Sequence, residues 1–196
     1  MKEFTSKIGL LFGSFNPIHI GHLIIANYMT EFTDLDEVWF VVSPHNPLKE
    51  KKTLLADHHR LAMARIAVEE NARFRICDIE FKMEQPSYTI RTLTYLTEKY
   101  PGKQFVLIAG TDVLPTFNKW KNYEQILENY YLYIYPRPGI MPGQLISHPH
   151  ITLVDAPLMD ISSSFIRNAV RQGKNVEYML PQRVWQYLRE MHFYEK

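Results

Sequence analysis

The stretch GSFNPIHIGHL, residues 13–23, stands directly after the apolar run IGLLF. The apolar run predicts a buried strand, and the residues after the turn, GHLIIANYMTEF, predict a helix. Gly13 lets the backbone pass close to a ligand, and the first N–H groups of a helix attract an anion. His19 and His22 lie three residues apart around the helix start, so both imidazoles can donate hydrogen bonds to one phosphoryl group. The stretch therefore predicts a phosphate site at a strand-to-helix corner.

The rest of the chain alternates apolar runs, rich in β-branched and aromatic residues, with helical stretches, a pattern typical of a parallel sheet covered on both faces. Right-handed βα units predict a doubly wound, Rossmann-like α/β fold whose ligand crevice lies at the C-terminal ends of the strands. We expect residues 1–196 to form a single domain that is helical from about residue 160 onward. The predicted strands are Ile8–Phe12, Glu37–Val42, Phe74–Ile79, Phe105–Ala109, Tyr131–Tyr135 and Ile151–Val154, and the predicted helices are Gly21–Phe32, Asp57–Glu70, Ser87–Lys99, Tyr123–Asn129, Ser162–Gln172 and a closing helix that starts at Pro181.

Two helix starts carry more specific predictions. Asp57 is expected to cap the second helix, whose core-facing stripe would consist of Leu61, Ala64, Ile66 and Val68. The stretch DISSSFIRNAV places the hydroxyls of Ser162, Ser163 and Ser164 at another helix start, with Arg167 one turn further on. Hydroxyls, backbone N–H groups and a guanidinium can converge on a phosphate. Taken alone, the same stretch is an ordinary N-cap followed by a surface arginine.

Composition limits the classes of function. The formal net charge is +1, which offers no overall attraction to nucleic acid or to an anionic membrane. A single cysteine, Cys77, excludes an internal disulfide framework and a Cys-based zinc site, and no run approaches 18 apolar residues. These features favour a cytoplasmic enzyme or binding protein. Neither GxGxxG nor GxxxxGK[ST] occurs, so a nucleotide would be held by other means.

Two of these motifs resemble those of a known superfamily. His19-Ile20-Gly21-His22 resembles the HIGH signature of the nucleotidylyltransferases, and the stretch from Asp160 resembles their ISSTxIR element. Ser164 stands where the usual residue is threonine, and the hydroxyl is retained. The resemblance implies that His19, His22 and Arg167 bind the triphosphate of ATP.

Three further stretches, PSYTIRTLTYL, LIAGTDVLPTFNKW and YIYPRPG, narrow the resemblance to the nicotinate-nucleotide adenylyltransferase family. The resemblance runs from Ile8 to Tyr187. It implies that nucleotide is bound by the backbone of the first turn, by the glycine and aspartate after a central strand, and by the serine-led helix start. It also implies that the mononucleotide is held by a threonine, a stacking tryptophan and two cations. The implied nucleotide-binding residues are Gly13, Ser14, Phe15, Gly110, Asp112, Ser162 and Ser163, and the implied mononucleotide-binding residues are Thr89, Trp120, Arg137 and Lys49.

The loop after the second predicted strand departs from the family pattern. Relatives often show PxxxPPHK there, whereas this chain reads SPHNPLKEKKTLL, with Lys49 retained and no histidine directly before it. Lys51 and Lys52 could take the place of Lys49, or the run could be a solvated basic loop. For the tryptophan, a plain core aromatic is the alternative to a stacking platform.

The resemblance implies an enzyme that transfers the adenylyl group of ATP to nicotinate mononucleotide and releases pyrophosphate. The expected cofactor is Mg²⁺, which would bridge phosphate oxygens and would not need a dense set of protein carboxylates. The expected partners are small molecules, with no nucleic acid and no membrane, and a homo-oligomer is left open. Three alternatives stand beside this hypothesis. The mononucleotide could be the nicotinamide form, the acceptor could be phosphopantetheine, or the chain could be a non-catalytic nucleotide sensor of the same fold.

Overall fold

A six-stranded, all-parallel sheet forms the centre of the computed structural model, which describes residues 4–44, 54–141 and 143–195. The strand order is β3-β2-β1-β4-β5-β6, which confirms the predicted doubly wound, Rossmann-like α/β fold. Each predicted strand is present, and β2 and β5 have the predicted bounds. The strands are β1 (Ser6–Gly13), β2 (Glu37–Val42), β3 (Phe74–Cys77), β4 (Lys103–Gly110), β5 (Tyr131–Tyr135) and β6 (Ile151–Leu153).

Six α-helices connect or follow the strands in the described part of the chain. Short 3₁₀ helices, which the sequence reading did not predict, occupy several of the remaining connections. No described helix is long and apolar enough to cross a membrane. The α-helices are α1 (Ile20–Phe32), α2 (Asp57–Val68), α3 (Thr89–Lys99), α4 (Tyr123–Asn129), α5 (Ser163–Arg171) and α6 (Gln182–Glu190), and the 3₁₀ helices are Ile79–Lys82, Thr111–Lys119, Gln144–Ser147 and Glu177–Met179.

The sheet separates two hydrophobic clusters because successive side chains of a strand point to opposite faces. In β1, Ile8 and Leu10 pack in one cluster with residues of α3 and α4. Leu11 packs in the other cluster with residues of α1, α2, α5 and α6. Both faces of the sheet are therefore covered, which explains why its central strands read as continuous apolar runs.

Most element boundaries differ from the sequence prediction by one or two residues, and two of these differences have a local cause. Strand β3 ends at Cys77, because a 3₁₀ helix begins at Ile79. Helix α3 begins at Thr89, two residues after the predicted start. The buried hydroxyl of Ser87 instead donates a hydrogen bond to a carboxylate oxygen of Glu80 over 3.1 Å. This contact keeps the residues before Thr89 in an extended connection.

The predicted cap of α2 is wrong. Ala56, in extended conformation, is the N-cap residue, and Asp57 is the first residue of the helix. The carboxylate of Asp57 accepts a hydrogen bond from the guanidinium of Arg60, one turn along the helix. The aspartate therefore stabilises a buried arginine and does not cap the backbone.

The predicted apolar stripe of α2 is partly right. Ala64 and Val68 are buried, whereas Leu61 and Ile66 are only partly buried against the same cluster. Arg60 and Met63, which the prediction did not include, are both 0% exposed. The buried face of this helix thus contains an arginine among apolar residues.

The ligand edge of the sheet follows from this topology. From β1 the chain moves outward through β2 to β3, and then returns to place β4 on the other side of β1. The topological switch point therefore lies between β1 and β4, where ligands bind in open α/β sheets. At the C-terminal edge, β1 ends at Gly13 and β4 ends at Gly110. The predicted first turn and the predicted glycine–aspartate turn thus flank the switch point.

Candidate active site

The corner between β1 and α1 is organised by the ring of Phe15. Phe15 is 2% exposed and has a positive φ of 45°, and its ring meets His22 edge-on with 5.1 Å between centroids. A Cβ atom at Gly13 would lie only 2.9 Å from carbons of this ring. Gly13 is therefore needed to make room for Phe15, in addition to the predicted approach of a ligand. Since the Phe15 side chain is buried, only its backbone can contribute to a binding surface.

The rings of the two histidines of the HIGH motif lie in close contact. Their ring centroids are 3.7 Å apart and the planes are tilted by 31°. A Cβ atom at Gly21 would lie 3.1 Å from the Nδ1 and Cε1 atoms of His19, so the glycine between the histidines allows the His19 ring to fold over it. The predicted convergence of His19 and His22 on one point is thus present in the geometry.

Hydrogen bonding and burial set the protonation of this pair. The Nδ1 atom of His22 accepts a hydrogen bond from the backbone N–H of His19 over 3.2 Å. A neutral His22 therefore carries its ring proton on Nε2. Burial, and then the positive charge of Arg137, lower the pKa of His19 from 6.5 to about 4, so His19 is neutral at pH 7.

His19 also carries an unsatisfied buried atom. Among the described residues, none offers a hydrogen-bond partner to its Nδ1 atom. Buried polar atoms in folded proteins nearly always have a partner, and a ligand or water supplies it where the protein does not. His19, Gly21, His22 and Arg137 line one small crevice. The crevice is therefore a place where a polar ligand would complete the hydrogen bonding of the protein.

Helix α5 is attached to the same corner by its first turn. Ser162 is the N-cap residue, and its hydroxyl oxygen accepts the backbone N–H of Phe165 over 3.2 Å. The Ser163 hydroxyl donates to the carbonyl of Pro17 over 2.9 Å. The Arg167 guanidinium donates to the carbonyl of Asn16 over 2.8 Å, so Arg167 is not an ordinary surface arginine. These contacts join the two motifs that the sequence places about 140 residues apart.

The turn after β4 brings three further predicted residues together. Arg137 lies 3.5 Å from the carboxylate of Asp112, and its backbone N–H donates to the Thr111 hydroxyl over 2.9 Å. A Cβ atom at Gly110 would lie 2.3 Å from an oxygen of Asp112 and 2.9 Å from Arg137. A side chain at Gly110 would therefore displace Asp112 or Arg137 from this ion pair. Asp112 lies in the first turn of the 3₁₀ helix Thr111–Lys119, whose N-cap residue is Gly110.

The predicted mononucleotide-binding residues Thr89 and Trp120 lie next to Tyr88 and Lys121, which contact each other. The ammonium of Lys121 lies 4.4 Å from the ring centroid of Tyr88. This contact joins the segment that starts α3 at Thr89 to the segment that contains Trp120. Trp120 is half-buried, and its ring packs on Phe117 at 5.1 Å between centroids. Trp120 therefore packs against the hydrophobic core with part of its side chain, and the rest of the side chain is accessible.

Lys49, predicted near the mononucleotide phosphate, lies outside the residues that the structure describes. The same holds for the neighbouring Lys51 and Lys52. Their roles remain predictions from the sequence. Within the described ranges, no group of three or more histidine, cysteine, aspartate or glutamate side chains could hold a metal ion.

Arg60 is the residue of this region that the sequence reading missed. Its NH1 group donates to the carbonyls of Ser14 and Ser43, over 2.6 and 2.7 Å. The other donors reach the carbonyl of Pro44, the carbonyl of Leu55 and the carboxylate of Asp57. All five N–H donors of the guanidinium are thus used. Arg60 ties the turn after β1 to both ends of the segment that contains Lys49.

The position of Arg60 in the sequence could have indicated its burial. It lies three and four residues before Met63 and Ala64, on the buried face of α2. An arginine on an apolar helix face needs acceptors nearby, and at the end of two parallel strands these are free backbone carbonyls. The pattern predicts burial with hydrogen bonds, but it does not identify which carbonyls accept them.

Comparisons with known proteins identify the family of the chain. The family model for cytidylyltransferase-like proteins matches residues 10–169. A Flavobacterium johnsoniae protein named "Probable nicotinate-nucleotide adenylyltransferase" is 55% identical over 192 residues, which cover 97% of this chain and 100% of that protein. A Flavobacterium psychrophilum protein of the same name is 51% identical over 192 residues, with the same coverage.

A solved structure gives the same result for the fold. Plasmodium falciparum nicotinic acid mononucleotide adenylyltransferase, complexed with NaAD, superposes with a TM-score of 0.82 and 20% identity, over 97% of this chain and 98% of that one. At this identity the likeness concerns the fold. The sequence relatives carry the assignment further, because they match nearly the whole chain at about half identity. The chain belongs to the nicotinate-nucleotide adenylyltransferase family, within the cytidylyltransferase-like proteins.

Proposed function

We propose that this protein transfers the adenylyl group of ATP to nicotinate mononucleotide, giving nicotinate adenine dinucleotide and pyrophosphate in NAD biosynthesis. The observation that carries the proposal is the junction of the HIGH corner with the first turn of α5. Arg167 and Ser163 donate hydrogen bonds to the carbonyls of Asn16 and Pro17, next to the paired rings of His19 and His22. Family membership supplies the substrate class.

The reaction needs no general base. The phosphate of the mononucleotide is a monoester whose second pKa is about 6, so it is already an anion at neutral pH. It attacks the α-phosphorus of ATP in line, the new P–O bond forms, and the bond to the β-phosphate oxygen breaks to release pyrophosphate. The barrier arises from bringing two polyanions together and from the charge on the leaving group. Catalysis therefore consists of positioning and electrostatic stabilisation.

We assign the residues around the HIGH corner to the triphosphate. A neutral His22 with its proton on Nε2 donates a hydrogen bond to a phosphoryl oxygen. His19, with an unsatisfied Nδ1 atom, supplies a second uncharged contact. Arg167 supplies positive charge from the opposite side. The backbone of residues 13–15, together with the hydroxyls of Ser162 and Ser163, completes the nucleotide site.

We assign the remaining residues to ribose and to the mononucleotide. Gly110 permits the close packing of Asp112, whose carboxylate would bind a ribose hydroxyl. Arg137 and Lys49 would neutralise the mononucleotide phosphate, and Arg137 lies in the same crevice as the histidines. In this arrangement both reacting phosphates approach a positively charged region.

Mg²⁺ enters this account with ATP, as the MgATP complex. Magnesium prefers oxygen ligands, and it keeps several waters when it bridges phosphates. The described residues that line the crevice include two imidazoles and no carboxylate, and the carboxylate of Asp112 lies 3.5 Å from Arg137. This donor set fits an ion that the phosphates hold and does not fit a resident magnesium site. When bound, the ion neutralises phosphate charge, and the side chains orient the complex.

Product analysis tests the proposed function. The protein is incubated with ATP, Mg²⁺ and one acceptor, which is nicotinate mononucleotide, nicotinamide mononucleotide or phosphopantetheine. We expect pyrophosphate and nicotinate adenine dinucleotide with the first acceptor, and a much lower rate with the others. Product formed only from nicotinamide mononucleotide or phosphopantetheine would reassign the acceptor. ATP binding without pyrophosphate release from any acceptor would identify a nucleotide sensor.

Trp120→Ala is predicted to weaken mononucleotide binding. Aromatic stacking contributes roughly 1–3 kcal/mol per ring, so the KM for nicotinate mononucleotide should rise by roughly 5- to 100-fold. The KM for ATP should stay within about twofold. Trp120→Phe keeps an aromatic face and should recover most of the affinity. Steady-state kinetics with each substrate varied provide the measurement, and a loss restricted to ATP affinity would contradict the assignment.

Lys121 is predicted to favour the acid over the amide. Its ammonium lies 4.4 Å from the ring centroid of Tyr88, the residue before Thr89. If the nicotinate ring binds beside Thr89 and Trp120, a cation there would attract its carboxylate and leave the neutral amide unaffected. Arg91, also beside Tyr88, is paired with Glu84 over 3.3 Å, so its charge is partly compensated.

Lys121→Met should therefore lower kcat/KM for nicotinate mononucleotide by roughly three- to tenfold, as expected for one partly screened charge. The kcat/KM for nicotinamide mononucleotide should not change. Lys119→Met removes the same charge two residues away and serves as the control for net charge. Equal losses with both mononucleotides would show that Lys121 acts on something other than the carboxylate.

A further inference from the structure

The chain end folds back onto the first turn of the protein. After α6, the backbone N–H of Phe193 donates to the carbonyl of Leu188 over 3.1 Å, and its ring contacts His59 at 4.6 Å between centroids. Tyr194 has a positive φ of 65°, a conformation that non-glycine residues adopt rarely. Its hydroxyl donates to the side-chain oxygen of Asn16 over 2.7 Å. These contacts hold the tail in an otherwise unfavourable conformation.

Asn16 is the point at which this tail meets the candidate active site. The residue is 3% exposed, and its side-chain oxygen also accepts the backbone N–H of Leu55 over 3.2 Å. Its main-chain carbonyl accepts the guanidinium of Arg167. One residue of the GSFNP turn therefore contacts the chain end, the start of the α2 region and the arginine of α5.

The Tyr194 hydroxyl is suited to a fixed structural bond. Burial raises the pKa of Tyr194 well above its usual value, so the hydroxyl stays protonated and remains a donor at all physiological pH values. An asparagine side-chain oxygen cannot donate, so the direction of this hydrogen bond is unambiguous. The Tyr194 hydroxyl thus bonds to the side-chain amide of Asn16, and the main-chain carbonyl of the same residue accepts the Arg167 guanidinium.

We propose that Tyr194 is a positioning residue for the triphosphate site, acting through Asn16 to hold the first turn in the geometry that Arg167 requires. The inference rests on the proposed function for its kinetic test. It does not require Tyr194 to touch substrate. It assigns a role in the active site to a residue at the opposite end of the chain from the HIGH motif.

The test is Tyr194→Phe, which removes one hydroxyl and keeps the ring. We expect kcat/KM for ATP to fall roughly five- to tenfold, the effect of one hydrogen bond, while the KM for nicotinate mononucleotide stays within about twofold. The dissociation constant for MgATP, measured by calorimetry, should rise by a similar factor. Tyr187→Phe is the matched control, because it removes a hydroxyl that contacts Nδ1 of His59 over 2.9 Å in the same cluster. This control should leave both quantities unchanged.

A double-mutant cycle separates positioning from simple destabilisation. In an Arg167→Lys background, Tyr194→Phe should change kcat/KM for ATP by less than about twofold, because the guanidinium that it positions is gone. An undiminished loss in that background, or unchanged ATP parameters of the single variant, would overturn the inference. If the wild type turned over none of the acceptors, the proposed function would fail, and the MgATP dissociation constants would still decide the role of Tyr194.

Discussion

His22→Ala is expected to lower kcat by a factor on the order of 10²–10³, the usual cost of removing one preorganised donor from a site of developing charge. The structure gives a physical reason for this size. The Nδ1 atom of His22 accepts the backbone N–H of His19, so the ring is oriented and its proton lies on Nε2 before substrate arrives. Because the donor acts on charge that develops in the transition state, kcat and kcat/KM should fall together. Steady-state kinetics with both substrates measure the effect.

His58→Ala provides the control for this prediction. His58 is exposed on α2, outside the crevice, and its removal should leave kcat within about twofold of the wild type. Thermal unfolding of both variants establishes that they remain folded. Near-normal turnover by His22→Ala would remove this histidine from the mechanism.

Arg60→Met is expected to lower the free energy of unfolding by about 3–5 kcal/mol, the range found when one partner of a buried charged network is removed. Methionine fills a similar volume and has no donors. The carbonyls of Ser14, Ser43, Pro44 and Leu55 would lose their guanidinium partner inside the protein. Each carbonyl left unsatisfied is costly, whereas the apolar stem of the side chain is preserved. Urea unfolding, followed by circular dichroism, measures the change.

Two further variants sharpen this test. Arg60→Lys keeps the charge but has only three donors for five acceptors, so we expect an intermediate loss of stability. Arg65→Met removes an exposed arginine of the same helix, whose ion pair with Asp78 spans 3.5 Å, and should cost less than about 1 kcal/mol. Equal stabilities of Arg60→Met and Arg65→Met would contradict the role given to the buried guanidinium.

Much of the fold could be predicted because its signals are local. An apolar run followed by a glycine turn and an amphipathic stretch specifies one βα unit, and repetition of that unit specifies a parallel sheet. Two predicted helix-start roles were wrong because the side chain bonds to another side chain and not to the helix backbone. Asp57 was expected to cap a helix and instead holds Arg60, and Ser87 was expected to open α3 and instead bonds to Glu80.

The residues of the candidate site likewise fall into those that the sequence identifies and those that it does not. His19 and His22 could be identified because their spacing on one turn is a local property. The contacts of Arg60 and Tyr194 could not, because their acceptors are a set of backbone carbonyls and an amide oxygen that only the folded chain brings near them. Every residue has a backbone carbonyl, so residue types do not show which residues accept hydrogen bonds from a buried guanidinium. Resemblance to a family identified the substrate class, and physical reasoning from the residues explains why those residues suit it.

The most direct test of the central claim is a structure with a non-hydrolysable ATP analogue and Mg²⁺. We expect His22 Nε2 and the Arg167 guanidinium both to lie within hydrogen-bond distance, about 2.7–3.2 Å, of oxygens of the same triphosphate. A triphosphate bound away from these two side chains, or contacting neither of them, would contradict the account.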